Sequence, residues 1–504
     1  MRAAALRHLK PLPVTEVPVL SMRAFRREIL ASVEDGWRLV SFHGAGRPDD
    51  AVRLTAVLAL DSSGELKVLA ADPGESYPAL TPVCPQAGPF EREIAEQWGV
   101  TPEGHPWLKP LRFHGSYRPG HVVWPELAGE NIQPSVMDFF DVEGEGIHEV
   151  AVGPVHAGII EPGHFRFHCH GEQVLHLEIS LGYQHRGVER ALLGGPHPRT
   201  IHHMETLAGD TTIGHATTYC RAVEALAGCQ APPRARALRA VSLELERLSN
   251  HTGDLGALAG DVGYLPTASF CGRLRGDFLN MTAMLCGSRF GRGLVRPGGV
   301  GFDVDAGLTA RLLESLEDTC RDVAGAVNLL WETSSVRARF EQTGTVSAAM
   351  AVQLGLVGPA ARASGREMDV RRDFPADDAH YDDWSIAMLT SGDVMARARV
   401  RWLEIQRSAE FIRRCLADLP EGPVRMECGP PAADSLVVSM TEGWRGEIVH
   451  VAQTGAAGRF ARYKVVDPSF HNWMGLAMAL RGQEISDFPL CNKSFNLSYC
   501  GHDL

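Results

Sequence analysis

The sequence predicts an α+β protein: a small α+β unit at the N-terminus, then a large, mainly helical unit with a peripheral antiparallel β-sheet. Three observations predict it. Residues 1–112 alternate short β-like runs with helical pattern; residues 113–150 hold Pro119, Pro125, Pro134 and several glycines with little periodicity; and from Thr200 onward apolar residues step by three and four. The chain has 504 residues, enough for two to four compact units at roughly 150 residues each.

In the first unit, residues 22–34 and 90–99 carry helical spacing, while 37–43, 54–60 and 66–70 read as strands. Residues 113–150 read as a connector. The unit over 151–504 opens with a strand pair, 163–169 and 173–181, separated by Gly171-Glu172, where a turn belongs. Leu238, Val241, Leu245, Leu248, Thr252 and Leu255 then mark one face of a helix that should be buried. Further helices are expected over 309–332 and 393–417, the second with many arginines on its polar face. Strand character returns at 435–439, 448–452 and 460–466, before a short C-terminal tail. No internal repeat is visible.

Composition narrows the function classes. Apolar residues make up 44% and charged residues 22%, the balance of a folded globular protein. A net charge of −12 repels a phosphate backbone, so nucleic acid is not an expected partner. No stretch approaches the roughly 20 apolar residues of a membrane helix, and the N-terminus lacks the apolar core of a signal peptide. A cytoplasmic chain able to dock on a membrane partner is expected. Eleven cysteines, an odd count with no C-x-x-C pair, read as reduced thiols.

Four stretches could carry chemistry. Gly153-Pro-Val-His-Ala-Gly-Ile-Ile-Glu-Pro-Gly-His164 is a rigid turn bearing His156, Glu161 and His164, all able to move protons near neutral pH once tuned by their surroundings; a solvated polar turn is the plainer reading. His164-Phe-Arg-Phe-His-Cys-His170 sets His164, Arg166, His168 and His170 on one strand face. Three histidines there could hold a metal, but Arg166 among them opposes a cation, and the wet face of an edge strand is the commoner outcome. No metal site is expected.

The third stretch runs Leu181-Gly-Tyr-Gln-His-Arg-Gly-Val-Glu-Arg190 and on to Glu205-Thr-Leu-Ala-Gly-Asp-Thr-Thr-Ile-Gly-His215 and Glu224; the fourth is Ile485-Ser-Asp-Phe-Pro-Leu-Cys-Asn-Lys-Ser-Phe-Asn-Leu-Ser-Tyr-Cys-Gly-His-Asp-Leu504. These resemble the large subunit of formate hydrogenlyase and related energy-converting [NiFe] hydrogenases, whose corresponding segments read E-R-x-C-G-I-C-S-x-x-H and D-F-P-L-x-x-x-S-x-D-P-C-x-x-C. Matching Glu205, Gly209, His215, Tyr219 and Glu224 puts Ala208 and Thr211 at the first two cysteines. The C-terminal match puts Ser498 and Gly501 at the other two, with Cys500 one position out of register. Alanine and glycine offer no side-chain ligand, and hydroxyls replace bridging thiolates poorly on a soft metal pair. Phe90-Glu-Arg-Glu-Ile-Ala-Glu-Gln-Trp-Gly-Val-Thr-Pro-Glu-Gly-His-Pro-Trp-Leu-Lys-Pro110 is similar to a signature of the small companion subunit of respiratory complex I. Residues 243–251, 295–300, 390–397 and 467–470 are similar to its quinone-proximal subunit, giving a fused C-D type chain.

The resemblance implies a hydrophilic-arm subunit of a membrane-associated oxidoreductase. Its partners would be a small iron–sulfur subunit with a [4Fe-4S] cluster, membrane-arm subunits and, in one version, a formate dehydrogenase module. The chain itself would hold no cofactor, and quinone is the implied electron acceptor. The place would be the cytoplasmic face of the inner membrane. Glu161 and His156 match proton-transferring positions of the hydrogenases, with His185, Arg186 and Asp503 as further contributors. Gly209 stands where complex I has its quinone-binding tyrosine, and Ile160 near its histidine. The alternative is a non-catalytic scaffold that kept its interfaces after its site decayed.

Overall fold

The computed structural model describes residues 3–47, 49–129, 132–133, 138–158, 160–376, 381 and 383–504; Pro134 and Ile159 of the sequence reading lie outside these. Helix α1 (Met22–Glu34) starts at Ser21, whose hydroxyl accepts from the Ala24 N–H at 3.4 Å, and buries Phe25 and Ile29. It packs on an antiparallel sheet of β1 (Arg38–Gly46), β2 (Val52–Leu60) and β3 (Glu65–Ala71), with Ala4–Leu6 beyond β3. Helix α2 (Gly88–Trp98) buries Phe90 and Ile94 and ends at Gly99, whose φ of +65° gives the left-handed cap that glycine tolerates best.

Of the connector, residues 147–150 belong to a strand. β4 (Ile147–Val152) pairs with β5 (His164–His170), which pairs on its other side with β6 (Gln173–Ser180) across the expected turn at Gly171. The histidine-bearing strand is therefore central and not an edge. Its polar face is only partly wet: Arg166 donates to Glu149 at 2.7 Å, and His168, fully buried, meets the same carboxylate at 3.1 Å.

The helical unit is built on α3 (Thr212–Leu226), α4 (Pro233–Asp261), α5 (Leu265–Cys286), α6 (Ala306–Glu332) and α7 (Val394–Ala417). The predicted apolar face of α4 is buried, and so is much of its polar side. Arg247 pairs there with Glu244 at 3.0 Å and Glu404 at 3.3 Å, which offsets the desolvation of each charge. The arginines of α7 do not all face solvent, contrary to the sequence reading. Arg397 and Arg401 are buried, Arg397 donating to the carbonyls of Gly392 and Gly344 and Arg401 pairing with Asp254 at 2.7 Å.

A further antiparallel sheet, β7 (Ser435–Gly443), β8 (Gly446–Thr454) and β9 (Phe460–Val466), lies between the two cores. Alternation along its strands divides the side chains: Leu436, Val438 and Met440 join the core of the N-terminal unit, and Val437, Ala452 and Tyr463 join that of the helical unit. The chain then runs through α8 (Pro468–Ala479) and α9 (Phe488–Phe495) into α10 (Tyr499–Asp503). The expected tail is thus a packed helix, with Leu504 buried. Two cysteines also depart from the reduced-thiol expectation: Cys229 and Cys428, 199 residues apart in sequence, form a disulfide with their Cα atoms 5.5 Å apart. Folding brings together what spacing cannot show.

Candidate functional site

The two stretches that carry the positions matched to the hydrogenase cysteines meet at α10, and Arg186 holds them together. Its guanidinium donates to the carbonyls of Thr206 at 2.7 Å, Leu207 at 2.9 Å and Cys500 at 3.2 Å. The turn that positions Arg186 is fixed by Asp503. This buried carboxylate accepts from the Gly182 N–H at 2.9 Å and the Gln184 N–H at 3.0 Å, and Gly182 itself (φ +101°) leaves no room for a Cβ beside the Arg112 backbone. His185 hydrogen-bonds through Nδ1 to the Asp503 carbonyl at 2.8 Å and stacks on His114 with ring centroids 4.4 Å apart. Burial, then the charges of His114 and Arg112, push its imidazole down to about 4, so it is neutral near pH 7. Asp503 and His185 thus fasten the loop, while Arg186 joins the site's two halves.

Glu161 reaches the same helix from the other side, its carboxylate accepting from the Tyr499 N–H at 3.1 Å. It also faces the Cys500 thiol, which burial and then Glu161 push up to about 11, so the sulfur keeps its proton. His156 does not join this cluster. Its Nε2 meets the Gly163 carbonyl at 2.8 Å and closes the base of its own loop.

The four matched positions offer no set of metal ligands. Ala208 and Gly501 have no donor atom. Thr211 Oγ1 donates to Asp210 at 3.2 Å, and Ser498 Oγ caps α10 by accepting the Gly501 N–H at 2.9 Å. A Cβ at Gly501 would lie 2.6 Å from Asp467 Cγ, so Asp467 stands where a cysteine side chain would begin. Beside Thr211, Arg445 makes a bidentate pair with Asp210, Nη2 to Oδ2 at 2.7 Å, and also reaches Thr211 Oγ1 at 3.3 Å. Burial raises the Asp210 carboxyl, but the Arg445 guanidinium outweighs it and holds the group below the usual carboxylate range. A cation and its counter-ion thus occupy ground next to the missing thiolates, and the residues present do not fit a nickel–iron centre.

Behind this pair runs a buried chain that sequence reasoning did not find. Asp467 Oδ2 meets His215 Nε2 at 3.0 Å, His215 Nδ1 meets His450 Nε2 at 3.2 Å, and His450 Nδ1 meets the Tyr463 hydroxyl at 2.8 Å. Burial raises the Asp467 carboxyl, yet the hydrogen bond and charge of His215, with Arg445 beyond, keep it below its ordinary value. Burial drives His450 well down, so it is neutral. Every contact is satisfied when Tyr463 donates to His450, His450 to His215, and His215 to Asp467. Glu246 was also missed. It accepts from the N–H groups of Ile213 at 2.7 Å and Gly214 at 3.1 Å at the start of α3, and burial pushes its carboxyl up to about 8 despite those two bonds.

The three histidines of β5 do not converge: His164 meets the Gly153 carbonyl, His168 meets Glu149, and His170 is exposed. Among the described residues, the one grouping with metal-ligand spacing is Asp141, Glu149 and His168, and Arg166 already pairs with Glu149 there.

Comparison with known proteins accords with this architecture. The family described as respiratory-chain NADH dehydrogenase, 30 Kd subunit, matches residues 28–125, and that described as the 49 Kd subunit matches residues 261–433. The carbon monoxide-induced hydrogenase of Rhodospirillum rubrum is 34% identical over 355 residues, which cover 69% of this chain and 97% of that protein. The C/D subunit of the NADH-quinone oxidoreductase of Bdellovibrio bacteriovorus is 26% identical, covering 91% of this chain and 89% of that one. Among solved structures, a chain of the membrane-bound sulfane sulfur reductase, an archaeal respiratory membrane complex, shares the fold with a TM-score of 0.66 at 23% identity, over 71% of this chain and 99% of that one. No helix among the described residues is long and apolar enough to cross a membrane. The chain therefore belongs to the family of large subunits shared by complex I-like NADH–quinone oxidoreductases and membrane-bound hydrogenases, with a 30 Kd-type unit joined ahead of the 49 Kd-type one.

Proposed function

We propose that this subunit sits peripherally on the cytoplasmic side of the inner membrane and passes electrons from a neighbouring iron–sulfur subunit to quinone, with coupled protonation and without hydrogen chemistry. The observation that carries the reading is the replacement at the site: a bidentate Asp210–Arg445 pair and the Asp467 carboxylate stand beside four positions that lack thiolates, while Glu161 remains hydrogen-bonded to α10. Reducing a quinone to a quinol takes two electrons from the donor and two protons from the site or solvent. Negative charge growing on a quinone oxygen is stabilised by a nearby guanidinium, and Arg445 supplies one. Glu161, half-buried and beside α10, is the proton donor of this reading.

The test uses the complete complex with its electron donor. Glu161→Gln is expected to cut quinone-analogue reduction by about a hundredfold with subunit assembly unchanged, since a positioned acid typically contributes that much. Hydrogen evolution from reduced viologen together with one nickel per chain would overturn the proposal. A second reading, a non-catalytic scaffold, draws on the same ion pair, which closes the site with the protein's own charges. A scaffold keeps full electron transfer in the Glu161→Gln complex.

A further inference from the structure

A cavity of about 640 Å³ lies away from the four matched positions, none of which lines it. It opens on the seam between α2, β6 and α8. That volume lies within the roughly 300–1,000 Å³ of small-molecule sites. Its walls are mainly hydrocarbon and aromatic: Trp107, Leu177, Phe470, Trp473 and Met478. Three exposed apolar side chains, Phe140 (52%), Leu175 (38%) and Met474 (39%), surround it as well, although large side chains of this type are costly to leave in water together.

The charge pattern is one-sided. No aspartate, glutamate or lysine lines the cavity, and two arginines do, Arg92 and Arg481. Arg92 donates from Nε to the Lys109 carbonyl at 2.8 Å and from Nη2 to the Pro110 carbonyl at 2.7 Å, both neutral acceptors, and its guanidinium lies 4.7 Å from the centre of the Trp107 ring. Arg481 is exposed. Among the described residues neither arginine is within ion-pair distance of a carboxylate; the nearby Glu178 is already paired with Lys109 at 2.7 Å. The imidazoles that line the cavity add no charge near pH 7, since burial pushes His105 down to about 4 and His471 to about 3, and lowers His176 and His502. Three lining residues also keep a buried ring nitrogen without a hydrogen-bond partner: His176 Nε2, His471 Nε2 and Trp473 Nε1.

We propose that this cavity binds a single-chain anionic amphiphile, its hydrocarbon chain against Trp107, Phe470, Trp473 and Met478 and its carboxylate or phosphate on Arg92 and Arg481. The arginines alone leave the apolar walls unexplained, and the apolar walls alone leave two unpaired cations; an acyl chain with an acidic head accounts for both. A free fatty acid and a lysophospholipid share this chemistry.

The test uses the full chain within its complex and 16-doxyl-stearate, whose spin label quenches tryptophan fluorescence. Saturable quenching is expected, reduced in Trp473→Phe, which removes a reporter from the wall. Arg92→Gln with Arg481→Gln is expected to weaken binding at least about tenfold, through the loss of both charge-assisted contacts. The methyl ester of the same probe should bind the native protein about tenfold more weakly and should not distinguish it from the arginine variant. Ala477→Phe, which narrows the cavity, should abolish the saturable phase; should that variant fail to fold, the arginine pair and the ester carry the test. Mass spectrometry of what the isolated complex releases in organic solvent separates a fatty acid from a lysophospholipid, either of which supports the proposal. Quenching that does not saturate, or equal affinity for acid and ester, overturns it.

Discussion

Replacing Gly501 by alanine tests the packing that displaces a cysteine from this site. The new methyl carbon would stand 2.6 Å from Asp467 Cγ and 2.7 and 2.9 Å from its two oxygens, well inside contact distance. Asp467 has little freedom to move, being buried and held by His215 Nε2 at 3.0 Å and the Ser469 N–H at 2.8 Å. Overpacking of this kind costs about 1–3 kcal/mol, and loss of a charge-assisted hydrogen bond if the carboxylate yields costs about 1.5–3 kcal/mol. Alanine returns about 1 kcal/mol of helix propensity. The expected net destabilisation is about 2–4 kcal/mol, read from the shift of the urea unfolding midpoint. The decisive measurement is a double-mutant cycle with Asp467→Ala. Without the carboxylate the clash disappears, so Gly501→Ala should become nearly neutral, with a coupling of at least about 1.5 kcal/mol. Equal cost in both backgrounds would refute the reasoning. The same cycle bears on metal binding: cysteines at 208, 211, 498 and 501 should not retain nickel while Asp467 keeps its place.

Other perturbations follow from the buried charges. Asp210→Asn removes the bidentate partner of the buried Arg445 guanidinium, leaving it the charges of Asp467 and Asp254, and should destabilise by about 1–3 kcal/mol, whereas Asp210→Leu with Arg445→Met should cost less; similar losses in the two would contradict the pairing. Glu246 carries a raised carboxyl, about 8 when folded, so the native state holds a proton that the unfolded chain has released. Its contribution is complete below the ordinary carboxylate range and is lost as pH rises through about 8. Glu246→Gln should therefore flatten the fall in stability across that window, and denaturation midpoints at pH 5 and pH 8.5 that keep the native difference would exclude this role. His185, pushed down to about 4, should show no imidazole titration between pH 6 and 8 by NMR, and a titration in that range would contradict its burial.

Much of the fold was legible because local pattern and tertiary role agree. The strands of the N-terminal unit, the turn at Gly171 and the apolar face of α4 all follow from periodicity. The central place of β5 did not, because its second neighbour, β4, begins within a stretch rich in proline and glycine whose weak alternation gave no strand signal. Nor did the burial of Arg397 and Arg401, since a helical wheel assigns arginine to solvent unless a distant partner such as Asp254 is known. The site divides the same way. Glu161 and Arg186 stand in recognisable motifs, whereas Arg445 meets Asp210 across 235 residues and His215 meets Asp467 across 252. Asp467 and His450 owe their roles to contacts that only the folded chain makes.

The strand Ser435–Gly443 sends successive side chains into different cores, and this has a consequence for how the molecule is put together. Severed near residue 113, the shorter fragment would lack the apolar wall that Leu436, Val438 and Met440 provide, and the longer one would present that wall to water. Each piece would have to meet the other at the dilution of the cell before finishing its own interior. One continuous polypeptide keeps both at a fixed high effective concentration, turning a bimolecular encounter into a folding step.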